Sequence, residues 1–134
     1  MGNGIRTTLF LLLTALAVPA ADLAGIWAGQ APGRGGVKQD IAFELKVTGQ
    51  QLSGRMFGDE FDLPLEAGQI SGDQVRFTIV TTNYYSGTKS TFVYTGTVTN
   101  GELELTRERI LSPDEKKPER ENLKQTLKLR KLAS

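Results

Sequence analysis

The stretch TFVYTGTVT (91–99), NG (100–101), ELELTRER (102–109) decides the fold. In its first run Phe92, Tyr94, Gly96 and Val98 alternate with Thr91, Val93, Thr95 and Thr97. In its second, Leu103 and Leu105 alternate with Glu102, Glu104 and Thr106. Period two marks a strand with one face toward a core and the other toward water. Asn-Gly between two such runs predicts a two-residue hairpin, because both residues accept the positive φ that the turn demands.

The same alternation extends in both directions. Ile41, Phe43, Leu45 and Val47 share one face of 40–48, and Leu52, Gly54 and Met56 share one face of 51–57. Phe61, Leu63 and Leu65 follow, then Val75, Phe77 and Ile79 within 74–82, and finally Leu127 and Leu129 within 123–132. A first strand is expected over 23–30. Gly-bearing polar breaks at 48–50, 58–60 and 71–73 separate the runs. Eight short strands at this spacing point to an all-β barrel or sandwich. Pro64 cannot donate to a ladder, so the fourth strand is expected to break there, with Gln69-Ile70 as an extra pairing segment. For the tail a helix is the alternative, since Leu123 and Leu127 are four apart. The alternation of Leu127 and Leu129 favours a strand that pairs with the first and closes the sheet. The expected fold is one all-β domain, an antiparallel up-and-down barrel of about eight strands.

The chain has 134 residues, 16 Lys plus Arg, 15 Asp plus Glu, no Cys and no His. That composition removes disulfides, thiol nucleophiles, His-based acid–base catalysis and the usual zinc sites. Residues 1–20 read as a secretory signal peptide: Arg6 in a short n-region, the uncharged run TTLFLLLTALAV (7–18), then Val18-Pro19-Ala20. The apolar run is shorter than the roughly twenty residues of a membrane-spanning helix. Cleavage after Ala20 leaves residues 21–134 as the single domain, with 15 basic and 15 acidic groups. Zero net charge and export argue against nucleic acid as a partner. A cysteine-free exported chain suits a bacterial periplasm or exterior. The run SPDEKKPEREN (112–122) has no core residue and is expected to be a long charged loop.

Leu23-Ala24-Gly25-Ile26-Trp27 resembles the G-x-W opening of the calycin superfamily, the lipocalins, fatty-acid-binding proteins and avidins. The order of strands is most similar to avidin-like barrels, with Gln51-Leu52-Ser53-Gly54 and STFVYTGT (90–97) as the matching elements. The resemblance implies that Trp27 plugs one barrel end and that a basic residue of the last strand, Arg130, packs across it. It brings no biotin site, because Trp27 is the single Trp. The longer chain and the helix of classical lipocalins are not evident either.

Further candidates come from the residues themselves. Arg107 and Arg109 continue the Leu103/Leu105 face, and an arginine pair at a barrel mouth can clamp a carboxylate or phosphate. The alternative is that both are solvated or paired with Glu104 and Glu108. Tyr84 and Tyr85, in the loop 82–89, suit stacking on a ring or sugar, or else fold back over apolar surface. Tyr94 joins them as a candidate ligand contact from the inner face. Gly54 and Gly96 fall among the inward positions and suggest room for a cavity. Asp59, Glu60 and Asp62 lack the spacing of a calcium loop, so no metal is expected, and no cofactor. Pro32-Gly33-Arg34-Gly35-Gly36 lacks the Lys-Ser/Thr of a phosphate loop. The expectation is an exported, non-catalytic, lipocalin-like binding protein for a small, mostly apolar ligand, with any anionic head met by Arg107 or Arg109. The alternative is a structural or protein-interaction module with a filled core. After signal cleavage no membrane association is expected.

Overall fold

The computed structural model describes residues 23–111, 113 and 123–133; the signal-peptide reading and most of the expected 112–122 loop lie outside them. Nine strand segments follow one another: β1 Gly25–Pro32, β2 Lys38–Thr48, β3 Gln51–Phe57, β4 Asp62–Pro64, β5 Glu66–Ser71, β6 Gln74–Thr82, β7 Lys89–Thr99, β8 Glu102–Ile110 and β9 Lys124–Ala133. Every pairing is antiparallel, and each stave neighbours the next in sequence. β9 returns to β1 through Ala28↔Arg130 and Gly29↔Leu129, so the sheet closes. The tail is therefore a strand rather than a helix, and the closing pairing leaves no open edge between β1 and β9.

Nine segments make eight staves because β4 and β5 flank the same strand. Pro64 pairs with Arg55 of β3, while Gln69 and Gly68 pair with Gln51 and Leu52 at its other end. The break expected at Pro64 falls at Leu65, whose amide donates to the Gly54 carbonyl at 3.0 Å. A register shift between Glu66 and Gln69 marks a bulge, and Ala67 sits there at φ 52. The hairpin at 100–101 is as the sequence requires, with Asn100 at φ 54 and Gly101 at φ 75.

The two barrel ends differ in kind. At one end three two-residue turns, 49–50, 72–73 and 100–101, join the strands, and Leu23 lies buried beside Trp27. The other end carries the connections 33–37, 58–61, 83–88 and 111–123. The inward alternation expected from sequence is observed. Ile41, Phe43, Leu45, Leu52, Met56, Val75, Phe77, Ile79, Tyr94, Leu103, Leu105, Leu127 and Leu129 are buried, and Leu63, Phe92 and Val98 pack against them half-buried.

Three rings cross the middle of the barrel. Phe77 and Tyr94 stack at 4.9 Å between centroids, and Phe43 meets each edge-on at 5.7 Å. The two glycines expected to leave room do not. A Cβ on Gly96 would press on the Glu104 carbonyl and lie 2.7 Å from Leu105 Cδ2. A Cβ on Gly54 would drive into the Glu44 carbonyl group of β2. These glycines permit close approach of neighbouring strands, and neighbouring atoms already occupy the space.

Candidate functional site

At the plugged end the strand alternation of β9 decides which cation meets the indole. Trp27 is buried and donates its indole Nε1 hydrogen to the Leu23 carbonyl at 2.9 Å, which satisfies the one polar atom of the ring. In register it faces Phe43 on β2 and Lys131 on β9. Between the pairs Trp27↔Lys131 and Ile26↔Ala133 the register shifts by one, leaving Leu132 outside the ladder. The cation over the indole is Lys131, which continues the inward alternation of Leu127 and Leu129, with Nζ 6.0 Å from the ring. Arg130, the residue expected there, alternates with buried Leu129 and is exposed on the outer face opposite Ala28 and Glu102.

The opposite end holds the polar candidates. Register places Phe77, Tyr94, Arg107 and Gln125 in one row across β6, β7, β8 and β9. Because each strand alternates, all four face inward. Arg107 is half-buried and donates through Nη2 to Gln125 Oε1. It also hydrogen-bonds Tyr94 and lies 5.7 Å over the Phe92 ring. With the Tyr94 oxygen accepting from Arg107, its O–H donates to Met56 Sδ at 3.5 Å. Burial holds the Tyr94 phenol above the ordinary tyrosine value, against the opposing charge and hydrogen bond of Arg107. At neutral pH Tyr94 is thus a fixed O–H, and the row carries one positive charge. Among the described residues no carboxylate lies within ion-pair distance of Arg107.

Arg109 stands one inward position further toward the rim, opposite Phe92, half-buried, with its amide on the Leu123 carbonyl at 3.0 Å. Both arginines therefore keep the inward alternation, while Glu104 and Glu108 are exposed on the other face. Arg107 and Tyr94 come together as a unit. Gln125 completes it; its place two residues before Leu127, on the inward face, is the sequence signal that points to it.

Of the two arrangements expected of Tyr84 and Tyr85, the folded-back one is not adopted. Their side chains are 92% and 94% exposed, so they do not fold back over apolar surface. Their ring contact is with each other, 5.3 Å apart at 89°. The loop beneath them is tightly tied. Asn83 Oδ1 accepts from the amides of Tyr85 and Ser86 at 2.9 and 3.1 Å, and the backbones of Asn83, Gly87 and Thr88 close the turn. An Asn side chain bonding its own following amides is a local turn-former, which fixes the platform for the two rings.

The acidic turn behaves as a surface feature: Asp59, Glu60 and Asp62 are exposed, and Asp62 pairs with Arg55 at 2.9 Å. Among the described residues no group of three or more acidic side chains is arranged to hold a metal ion.

Fold and site together define the molecule as an eight-stave antiparallel up-and-down β-barrel, plugged by Trp27 at one end and carrying a polar row at the other. Compared with known protein families, curated proteins and solved structures, the chain matches none.

Proposed function

We propose that this chain is an exported, non-catalytic recognition module of calycin type, whose barrel core is filled and whose contacts are made by its surface. The observation that carries the reading is the packing of Phe43, Phe77 and Tyr94 across the middle of the barrel, where an apolar ligand would have to lie. Calycin kinship is supported by the Gly25-Ile26-Trp27 opening and by the buried indole with a cation across it. Export rests on the character of residues 1–20, and the absence of catalysis on a chain without His or Cys.

The contact surface of this reading is the Tyr84–Tyr85 loop. Exposed tyrosines on a tied loop offer large amphipathic area at little entropic cost, which is why such residues serve as binding anchors. A photo-crosslinking residue placed at position 85 in the exported protein captures one discrete partner. The same residue at Asp73, on the opposite end, captures none. Equal labelling from both positions, or none from either, overturns the proposal.

A second reading is favoured by one observation, the half-buried Arg107 with only neutral partners among the described residues. It assigns the polar row to a small carboxylate held at the mouth, above the filled core. A carboxylate that binds wild type and is lost in Arg107→Gln supports this reading. Equal binding to both proteins removes it.

A further inference from the structure

The outer face of the barrel carries a row of hydrogen-bonding side chains that neither the plug nor the mouth uses. Register sets Thr48, Gln51, Gln69, Arg76, Thr95 and Thr106 side by side across β2, β3, β5, β6, β7 and β8. They point outward, because their neighbours along each strand, such as Leu52, Ile70, Val75, Tyr94 and Leu105, belong to the core. Two hollows lie along this row and share Gln69 as a wall. One, of about 470 Å³, lies over Arg76, Thr95 and Thr106; the other, of about 370 Å³, lies between Gln51 and Gln69 over Ala67 and Gly68. Each volume lies in the range of small-molecule sites, roughly 300–1,000 Å³. The second hollow has a local cause: the bulge at Ala67 bends β5, and Gly68, whose Cβ would collide with the Leu52 carbonyl, draws β5 close to β3. The smallest side chains thus stand between two glutamines. From β3 to β8 the groove crosses four strand spacings, roughly 19 Å.

The groove is polar without a sign. Hydroxyls and carboxamides make up most of its lining, and each of these groups both donates and accepts. Arg76 and Glu104 are the two ionisable residues that line it, one of each charge. Just beyond, Lys128 stands opposite Glu104, and Glu66 stands one row from Arg76. Among the described residues, no hydrogen bond or ion pair engages the side chains of Gln51, Gln69, Arg76, Thr95 or Thr106. The larger apolar residues along it, Leu52 and Val75, turn into the core. The surface therefore selects neither a charge nor an apolar body. It suits an extended neutral molecule whose own groups donate and accept alike.

We propose that this groove binds a neutral oligosaccharide, laid across the strands with its hydroxyls on the glutamines and threonines. Sugar hydroxyls exchange their water hydrogen bonds for the unengaged carboxamides and hydroxyls of the row. A polyanion meets Glu104 and a polycation meets Arg76, so neither gains from charge. The site does not depend on the reading of the core or of the tyrosine loop.

The test titrates the full chain with cellotetraose, maltotetraose, xylotetraose and N-acetylchitotetraose, followed by NMR shifts of the backbone amides and of the glutamine side-chain amides. At least one of the four produces saturable shifts at Gln51, Gln69 and Thr95, with a dissociation constant on the order of 1 mM or tighter. Its monosaccharide binds at least about tenfold more weakly, because one ring reaches only one hollow. Gln69→Ala removes the wall that both hollows share and weakens binding about tenfold. Thr95→Val keeps the shape, loses one hydroxyl and weakens binding about threefold. Both positions are exposed, so the folded spectrum is retained. Added salt leaves the affinity unchanged, because the ligand carries no charge to screen. No saturable shift with any of the four sugars, unchanged binding by Gln69→Ala, or tighter and salt-sensitive binding of tetragalacturonate overturns the proposal.

Discussion

Gly96→Ala tests by the sign of its effect how closely β8 packs against β7. Gly96 faces inward on β7, between Val75 of β6 and Leu105 of β8. The added methyl would stand 2.7 Å from Leu105 Cδ2 and 3.1 Å from the Glu104 carbonyl carbon. Carbon atoms pack best at about 3.5–4.0 Å. The Glu104 carbonyl oxygen is nearer still and belongs to the backbone, so strand β8 itself must shift, in an interior packed as densely as a crystal. Overpacking of this kind costs about 1–3 kcal/mol. For a domain of this size a loss of about 2 kcal/mol lowers the melting temperature by roughly 10 °C. Urea unfolding followed by the fluorescence of the buried Trp27, the single Trp, measures it. The midpoint should fall with an unchanged slope. Were β7 and β8 less closely apposed, alanine would fit and stabilise by about 0.4–1 kcal/mol through the unfolded chain. A neutral or stabilising Gly96→Ala refutes the close packing of β8 against β7 at this point.

Three further outcomes follow from the geometry. Lys131→Ala, which removes the cation over Trp27, costs about 0.5–1 kcal/mol, whereas Arg130→Ala on the outer face stays within about 0.5 kcal/mol; the reverse order in urea midpoints would restore Arg130 to the plug. Ala67→Gly relieves a left-handed backbone at the bulge and raises stability by up to about 1 kcal/mol, read from the same midpoints, and a loss would show that the φ of 52 is not strained. For Tyr94, the unfolded phenol ionises near pH 10 and the buried one only at higher pH, so the folded chain retains a proton that the unfolded chain releases. Stability from this source is complete below about pH 10 and is lost as pH rises through the folded value. Tyr94→Phe should flatten the alkaline decline of the urea midpoint, and an unchanged decline would show that Tyr94 contributes nothing to it.

Much of the barrel was legible because strand alternation is written residue by residue. Phe43, Phe77, Leu105 and Leu129 declare their face without reference to any partner, and Asn100-Gly101 declares its turn. Pro64 foretold the broken fourth stave. What stayed hidden was lateral. Which basic residue of β9 meets Trp27 depends on the pairing of β9 with β1, which brings Lys131, on the inward set of Leu127 and Leu129, over the indole in place of Arg130. Gly96 reads as vacancy along its own strand, yet the space is taken by Leu105 of the next one. The row from Thr48 to Thr106 gathers residues from six strands, so its groove exists only after the strands pair.

The most direct measurement of the central claim is a crystal of the protein pressurised with xenon, which occupies empty apolar cavities. The account predicts no xenon among Phe43, Phe77 and Tyr94. A xenon atom bound inside the ring of staves would mean that the barrel keeps an empty lumen and that its ligand remains to be found there.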